Sequence, residues 1–362
     1  FDDGTHTIDM GYNLEESLPL LLRYSKLTGE YEDFFRERLR DHLEFLLPDG
    51  GIDNSFGTRH NKWTYWGSRT SDGCAPMFLI LADRNPVFAE AAYRNTQQLA
   101  ACTVDGFLYG GPHYHQHGEH ACTHHLFEHI NSIAFAIEHI DEKYLSPKPM
   151  AIPMDSEDVF DYYPEVRTYK LAKGKYSATV TDYDFDIYFS GHATGGTLTA
   201  LFHKEKGPMI MGSVTDYVLV EPTNMQQALD REHHRPLLPR FETVKNGVRY
   251  SSTFYLFADF DGRKGENGHT VSALTGLQDN AYHVLDGVKP RVLYTLTAEG
   301  MHICASGAKE VKFVLPLITG EVKAGKGSLE KTDNIFFLTG GFTATEYTFQ
   351  PDENGELELE IF

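Results

Sequence analysis

Apolar residues recur at helical spacing through roughly the first 145 residues of the chain. Leu14, Leu18, Leu21 and Leu22 predict a first helix that ends at Gly29, because residues three and four apart share one helix face. The same spacing predicts helices at 31–47, 71–82, 86–101 and 123–140. Helices joined by loops in this rhythm favour antiparallel hairpins, the unit of bundles, solenoids and toroids.

The pattern changes after Arg167 to short runs rich in β-branched and aromatic residues, separated by Gly, Asp and Pro. Such runs are typical of an antiparallel β-sandwich. They lie at 176–181, 185–190, 196–203, 209–213, 218–220, 249–257, 269–273, 281–285, 291–297, 301–305, 310–316, 335–339, 343–349 and 356–362. Residues 146–165 carry four prolines without periodicity, which indicates a linker. The predicted organisation is a helical domain at 1–145, this linker, and a β-sandwich at 166–362, with a cleft between the halves.

The charge of the chain argues against one class of partner. Lys and Arg number 32 against 52 Asp and Glu, a net charge of −20. Nucleic-acid binding needs clustered cations, so no nucleic acid is expected, and no apolar run approaches the length of a membrane span. An acidic substrate would need local cations to override the global field. The main local concentration of positive groups lies in a predicted long loop at 223–239 and comprises Arg231, His233, His234 and Arg235.

A histidine-rich stretch at 110–129 holds seven of the 18 histidines. Imidazole exchanges protons near neutral pH and binds metals, so the stretch indicates proton transfer or a metal. Its spacing matches no zinc motif, which argues against a metal held wholly within it. His113 and His115 fall in an irregular Gly/Pro loop, and His125 lies near the start of the helix that Thr123 is expected to cap. The alternative is that these histidines cap the helix or pack against aromatic rings.

A second informative stretch, at 57–73, combines cations, aromatic rings and a histidine. Aromatic rings provide platforms for sugars, and Arg or Lys can neutralise carboxylates. The residues that suggest this chemistry are His60, Lys62, Trp63, Tyr65, Trp66 and Arg69. The alternative is a structural aromatic loop. Before the first helix, Tyr12 and Asn13 could face the cleft, although Asn13 with Glu16 also fits a helix-capping pattern.

In the β half, His192 lies between small residues where it could face a neighbouring domain. His203, Asp216 and Glu221 follow, and histidine and carboxylate on adjacent strands could bind a divalent ion.

These residue types favour β-elimination on a uronic acid over hydrolysis. Glycoside hydrolysis usually needs two acids that flank the bond, and Glu119 and Asp72 do not form a persuasive pair. In β-elimination, Asn, Arg or protonated His neutralises the uronate carboxylate, while Tyr or His removes the adjacent proton and protonates the leaving oxygen. Arg69 or Lys62 could lower the pKa of a tyrosine base.

Four motifs resemble the C-terminal portion of the heparinase II/III-like polysaccharide lyases. They are DMGYNLEES, HNKWTYWGSRTSDG, ACTHHLFEHINSIAFAIEHID and SGHATGGTLTALFHKEKGPM. The resemblance implies an incomplete (α/α) toroid of helical hairpins followed by an antiparallel β-sandwich. It also implies a periplasmic or extracellular lyase that acts on an acidic polysaccharide and requires no cofactor. No signal peptide is present at Phe1, which suggests a mature or truncated product.

The resemblance also suggests roles for individual residues. His60 and Tyr65 resemble the acid–base pair of related lyases, Tyr12 and Asn13 resemble residues that open a helix facing the cleft, and His192 resembles a β-domain histidine that reaches the cleft. The predicted catalytic residues are His60, Tyr65, Tyr12, His192 and His125. The predicted substrate-binding residues are Asn13, Arg69, Lys62, Trp63, Trp66, His113, His115 and Arg231. Some family members bind a structural metal, so His203 and Asp216 are candidate ligands for zinc or calcium.

Two departures qualify the resemblance. Five helices are fewer than a toroid of this family has, so the chain resembles a fragment or a protein without the N-terminal helices. The abundance of histidine suggests a different uronic acid linkage, such as rhamnose–glucuronate, rather than heparin. A glycoside hydrolase on the same architecture and a non-catalytic carbohydrate-binding protein are the alternatives.

Overall fold

The computed structural model describes residues 13, 17–56, 77–109, 111–121, 123–182, 195–213, 217–220, 225–228, 235–255, 258–337 and 341–362. Within these ranges the N-terminal half is helical. The helices are α1 Leu18–Thr28, α2 Glu32–Leu43, α3 Met77–Ile80, α4 Pro86–Ala101 and α5 Thr123–His139. The five predicted helices are therefore present, although α2 ends four residues early because the chain turns into a bridge between Leu46 and Ile52.

Local sequence signals set several helix ends. Gly29 ends α1 in the left-handed region, at a φ of 77°, where glycine meets no steric penalty. Asn85 begins α4 by accepting the backbone N–H of Val87 at 3.2 Å, and Pro86 occupies the first helical position, where its missing N–H is not needed. Each of these helix ends is set by a residue at that end of the helix, so the local sequence predicts it.

The helices pack around an apolar core of their own. Leu22 of α1, Leu39 of α2, Phe78 of α3 and Phe88 of α4 have no exposed surface in this core. Closure of these helices into a toroid stays a prediction. In the part of the chain that is described, no helix is both long and apolar enough to cross a membrane.

The remainder of the chain is built from antiparallel strands, as predicted. A short hairpin in the helical half consists of β1 Thr103–Val104 and β2 Phe107–Leu108. The other strands are β3 Asp158–Tyr163, β4 Thr168–Lys173, β5 Tyr176–Thr181, β6 Thr197–His203, β7 Gly207–Met211, β8 Tyr217–Val220, β9 Met225–Ala228, β10 Arg240–Lys245, β11 Val248–Ser251, β12 Asp259–Arg263, β13 Gly268–Leu274, β14 Arg291–Thr297, β15 Met301–Ser306, β16 Lys312–Leu317, β17 Val322–Lys326, β18 Ser328–Phe337, β19 Phe342–Gln350 and β20 Leu357–Ile361.

In the described part of the chain, most of these strands belong to three large sheets, where the sequence predicted a single sandwich, and β1-β2 and β8-β9 form separate two-stranded sheets. The strand orders of the large sheets are β3-β4-β5-β6-β7, β11-β10-β16-β19-β18 and β12-β13-β14-β15-β20-β17. All three sheets contribute to one apolar core, through residues such as Val180 of β5, Phe313 of β16 and Tyr294 of β14. Buried side chains alternate with more exposed ones along β13, β14 and β15, because successive side chains point to opposite faces of a sheet, whereas every residue of β6 is buried.

Several segments differ from the sequence prediction, and β4, β10, β12 and β17 lie where no strand was predicted. The proposed linker at 146–165 contains β3, an edge strand in which three of the six side chains are exposed and none is buried. The loop predicted at 223–239 contains β9. The strand predicted at 281–285 is a turn instead, because the Asp279 carboxylate accepts the N–H groups of Ala281 and His283 at 2.9 and 2.8 Å, and Tyr282 has a φ of 66°.

Candidate functional site

The chain just before the histidine- and tryptophan-bearing stretch is fixed to the β half. The buried carboxylate of Asp53 accepts the backbone N–H of Ser55 at 3.0 Å and the hydroxyl of Thr179 on β5. Ser55 Oγ donates to Asp53 Oδ1 at 2.5 Å and lies 2.8 Å from Thr199 Oγ1 of β6. Burial raises the pKa of Asp53, and the bonds from Ser55 and Thr179 act in the opposite direction. The chain therefore leaves this joint toward His60 from a fixed position on β5 and β6.

A second carboxylate holds the two ends of the segment that carries His192. Asp182 follows β5 and has no exposed side-chain surface. It accepts the N–H of Gly195, just before β6, at 3.1 Å and the N–H of Ala258 at 3.3 Å, and it pairs with Arg167. Asp182 and Gly195, which flank residues 183–194 in the sequence, are therefore in contact, close along β5 and β6 to the joint at Asp53.

The histidine-rich stretch contacts the β18–β19 hairpin. A Cβ at Gly111 would lie 2.6 Å from the Cα of Gly341, so only glycine permits this approach of two backbones. His113 donates its backbone N–H to the carbonyl of Gly341 at 3.1 Å, and its ring Nδ1 accepts the N–H of Thr343 at 2.8 Å. Burial, and secondarily the neighbouring His117, lower the pKa of His113, which matches its role as a neutral acceptor.

Neighbouring side chains complete this contact. His117 stacks on Phe336 with ring centroids 4.1 Å apart, and its Nε2 lies 2.7 Å from Thr343 Oγ1. Tyr114 is buried with its ring edge toward Phe336. His115 is exposed and meets the ring of Tyr109 edge-on. His115 is therefore the more accessible of the two histidines predicted to bind substrate, whereas His113 is engaged with β19.

One apolar cluster joins the β6 and β19 contact regions to the helices. It draws residues from the helical half, from β6 and from the β18–β19 hairpin. Its members include Leu47, Leu99, Leu108, Ala200, Phe202, Phe337, Phe342 and Ala344. This cluster therefore connects the two halves, and the position of the site between them stays a prediction.

Most of the predicted site residues lie outside the described ranges. These are Tyr12, His60, Lys62, Trp63, Tyr65, Trp66, Arg69, His192, Asp216 and Arg231. Asn13 is half-buried, and His125 lies in the first turn of α5, beyond which His129 is buried. The structure places His113 and His115 as described above, and the chemical roles of all these residues stay predictions.

The metal prediction rests on His203, which is buried at the end of β6. Its Nδ1 accepts the N–H groups of Glu205 and Lys206, each at 3.1 Å, so only Nε2 is oriented away from this turn. Burial, and secondarily Lys206, lower its pKa. Among the described residues no three His, Cys, Asp or Glu side chains gather around one point. Zinc or calcium at His203 and Asp216 stays a prediction.

Comparison with known proteins places both halves in related families. The model of the ulvan lyase N-terminal domain matches residues 1–155, and that of the ulvan lyase C-terminal domain matches residues 160–335. A broad-specificity ulvan lyase of Formosa agariphila is 33% identical over 329 residues, which cover 88% of this chain and 51% of that protein. The chain thus spans about half the length of this curated relative.

Two solved structures are weakly similar. A mutant of a heparan sulfate lyase from Pedobacter heparinus has a TM-score of 0.36 at 9% identity. The match covers 95% of this chain and 59% of the chain of that lyase. A heparinase III has a TM-score of 0.40 at 12% identity, with coverages of 98% and 60%. Both scores are too low to establish a shared fold.

Proposed function

Because the chain belongs to the ulvan lyase family of polysaccharide lyases, we propose that it cleaves a uronic-acid polysaccharide, ulvan in the first instance, by β-elimination. The observation that carries this proposal is the consecutive match of both ulvan lyase domains, which together span nearly the whole chain. The joint between the helical and β halves supports it, since this joint fixes the chain beside three of the predicted site segments.

The reaction needs one proton acceptor, one proton donor and a partner for the carboxylate. The acceptor removes the proton on the carbon next to the uronate carboxylate, and the electron pair forms a double bond to the neighbouring carbon. The bond from that carbon to the glycosidic oxygen breaks, and the donor protonates the departing oxygen. Each positioned proton transfer contributes about 10²–10⁴ in rate, and stabilisation of the charge on the carboxylate contributes more.

We assign these roles as the sequence suggests. Tyr65 and His60 form the acid–base pair, and Asn13 and Arg69 neutralise the carboxylate. Trp63 provides a platform for a sugar ring. Tyr12, His192, His125 and the remaining predicted binding residues complete the site, in which the exposed ring of His115 supplies one accessible polar group. A polysaccharide substrate also favours action outside the cytoplasm, in the periplasm or the extracellular space.

Two variants test the assignment. Incubation with ulvan generates an unsaturated uronate that absorbs ultraviolet light if elimination occurs. Tyr65→Phe and His60→Ala should each lower the initial rate by about 10²–10⁴, while the circular dichroism spectrum and the urea midpoint stay at their wild-type values. Retention of the wild-type rate by both variants would overturn the assignment of roles. New reducing ends without absorbance would identify a hydrolase instead.

A further inference from the structure

One face of the β11-β10-β16-β19-β18 sheet forms an open groove of about 580 Å³. Its lining is charged, with five cations and four carboxylates. The cations are Arg235, Arg240, Arg249, Lys312 and Lys331. Five strands spaced about 4.8 Å apart make this face roughly 19 Å wide, which is room for an extended chain rather than for a single small ligand.

The floor of the groove is a chain of alternating positive and negative side chains. Arg235 and Arg240 bond opposite oxygens of Glu346, at 2.7 and 3.2 Å, while Arg240 and Arg249 share Glu242. Arg235 also pairs with Asp333 at 3.0 Å, so three guanidinium groups meet three carboxylates. Although burial opposes ionisation, Arg240 and Arg249 lower the pKa of Glu242 to about 2, so this carboxylate stays charged and holds both arginines in place.

The groove continues from the junction between the halves. Phe342, Ala344, Glu346 and Thr348 alternate along β19 and so share one face of the sheet. Phe342 and Ala344 pack in the cluster that joins the helices, whereas Glu346 and Thr348 line the groove. Ala344 and Thr348 are four positions apart, about 13 Å of strand. The groove therefore lies next to the apolar contact that joins the two halves.

The outer ion pairs of the groove can exchange partners. Lys312 pairs with Glu330 at 2.8 Å and Lys331 with Asp333 at 2.6 Å, and the two lysine side chains are 46% and 62% exposed. Ion pairs exposed to this degree contribute little to stability. An incoming carboxylate can replace Glu330 or Asp333 at small cost, while Arg240, which is almost fully buried, keeps its protein partners.

We propose that this groove is an accessory binding site for the uronate polysaccharide, beyond the bond that is cleaved. Uronate carboxylates pair with Lys312, Lys331 and the exposed part of Arg235, and sugar hydroxyl groups bond the charged floor. The site rests on the proposed function for the identity of its ligand. Its role is to hold the polymer, so it adds affinity for long chains and takes no part in proton transfer.

The test is affinity electrophoresis at low salt in gels that contain ulvan, with dextran gels as the uncharged comparison. All proteins carry Tyr65→Phe so that the polymer is not consumed. The groove variant carries Lys312→Glu with Lys331→Glu. The control carries Lys175→Glu with Lys326→Glu, which make the same charge change at lysines that are 56% and 52% exposed and lie away from the groove.

We expect the groove variant to bind ulvan about tenfold more weakly than the Tyr65→Phe parent, with the control within twofold and no retardation in dextran. Equal weakening in the two variants, or retardation by dextran, would overturn the accessory site. Cleavage of ulvan is measured separately, with the protein that retains Tyr65. Selective weakening of binding without cleavage would support the accessory site and contradict the proposed lyase activity. Cleavage without selective weakening would support the lyase activity and contradict the accessory site. Urea midpoints verify that both variants fold.

Discussion

Replacement of Asp53 tests the joint from which the chain enters the predicted catalytic stretch. Its carboxylate accepts the backbone N–H of Ser55 and the hydroxyl of Thr179, and it lies 2.5 Å from Ser55 Oγ. Asp53→Ala leaves the N–H and the Thr179 hydroxyl without this acceptor, at about 1–3 kcal/mol for each buried group. Ser55 Oγ is compensated because it also reaches Thr199 at 2.8 Å. The alanine variant also avoids the free-energy cost of burying the carboxylate, which offsets part of this destabilisation. We therefore expect a net destabilisation of about 2–4 kcal/mol.

Asp53→Asn is the matched variant, because it keeps the shape and one acceptor oxygen. Its amide can donate to the Thr179 hydroxyl, and the desolvation that raises the pKa of Asp53 disappears. We therefore expect a change within about 1 kcal/mol at pH 7. The assay is urea unfolding followed by tryptophan fluorescence and far-ultraviolet circular dichroism. Asp141→Ala, at an exposed cap that accepts the N–H of Lys143, should leave the midpoint unchanged. An alanine variant at position 53 as stable as the asparagine variant would refute the reasoning.

Two further predictions concern the contact with β19 and the pH dependence of stability. Gly111→Ala should destabilise the protein by about 1–3 kcal/mol and slow ulvan cleavage, because its Cβ would lie 2.6 Å from the backbone of Gly341. Gly325→Ala, which meets only a movable side chain, is the control, and equal effects in thermal unfolding would contradict the close approach. For His203, burial lowers the folded-state pKa below 6.5, so its contribution to stability is complete above about pH 6.5 and decreases as the pH falls toward the folded-state value. His203→Asn should flatten this part of the pH profile, and an unchanged profile would exclude His203 as its source.

The sequence predicted those features that depend on adjacent residues. Gly29 and Pro86 mark helix ends through their own backbone preferences, and α4 has the predicted bounds. The polysaccharide lyase family was also predicted from motifs and is confirmed by the matched domains. The edge strand β3 was missed because its short run of Val, Phe and Tyr stands among four prolines, and its pairing with β4 is a contact that the local sequence pattern does not show.

The sequence pattern did not predict contacts between residues that are far apart in the chain. Asp53 and Thr179 are 126 residues apart, and His113 and Thr343 are 230 apart. Nothing in the local sequence around Thr343 indicates that its N–H is donated to a histidine ring. The sequence analysis predicted proton transfer or metal binding for the histidine-rich stretch. The structure shows that one of these histidines, His113, contacts β19 and so contributes to the joint between the halves. The buried pair of Arg240 and Glu346 was missed for the same reason, since each residue alone is typical of a solvent-exposed strand face.

If this protein breaks a uronic-acid polysaccharide by elimination, the products of cleavage differ from those of hydrolysis in mass and in absorbance. The most direct measurement is mass spectrometry of the oligosaccharides released from ulvan in water enriched in heavy oxygen, recorded together with ultraviolet absorbance. Elimination predicts unsaturated products that absorb, with masses one water below the saturated oligosaccharides and no heavy oxygen at the cleaved linkage. Saturated products that carry heavy oxygen would show hydrolysis and contradict the account, and intact polymer after prolonged incubation would contradict cleavage altogether.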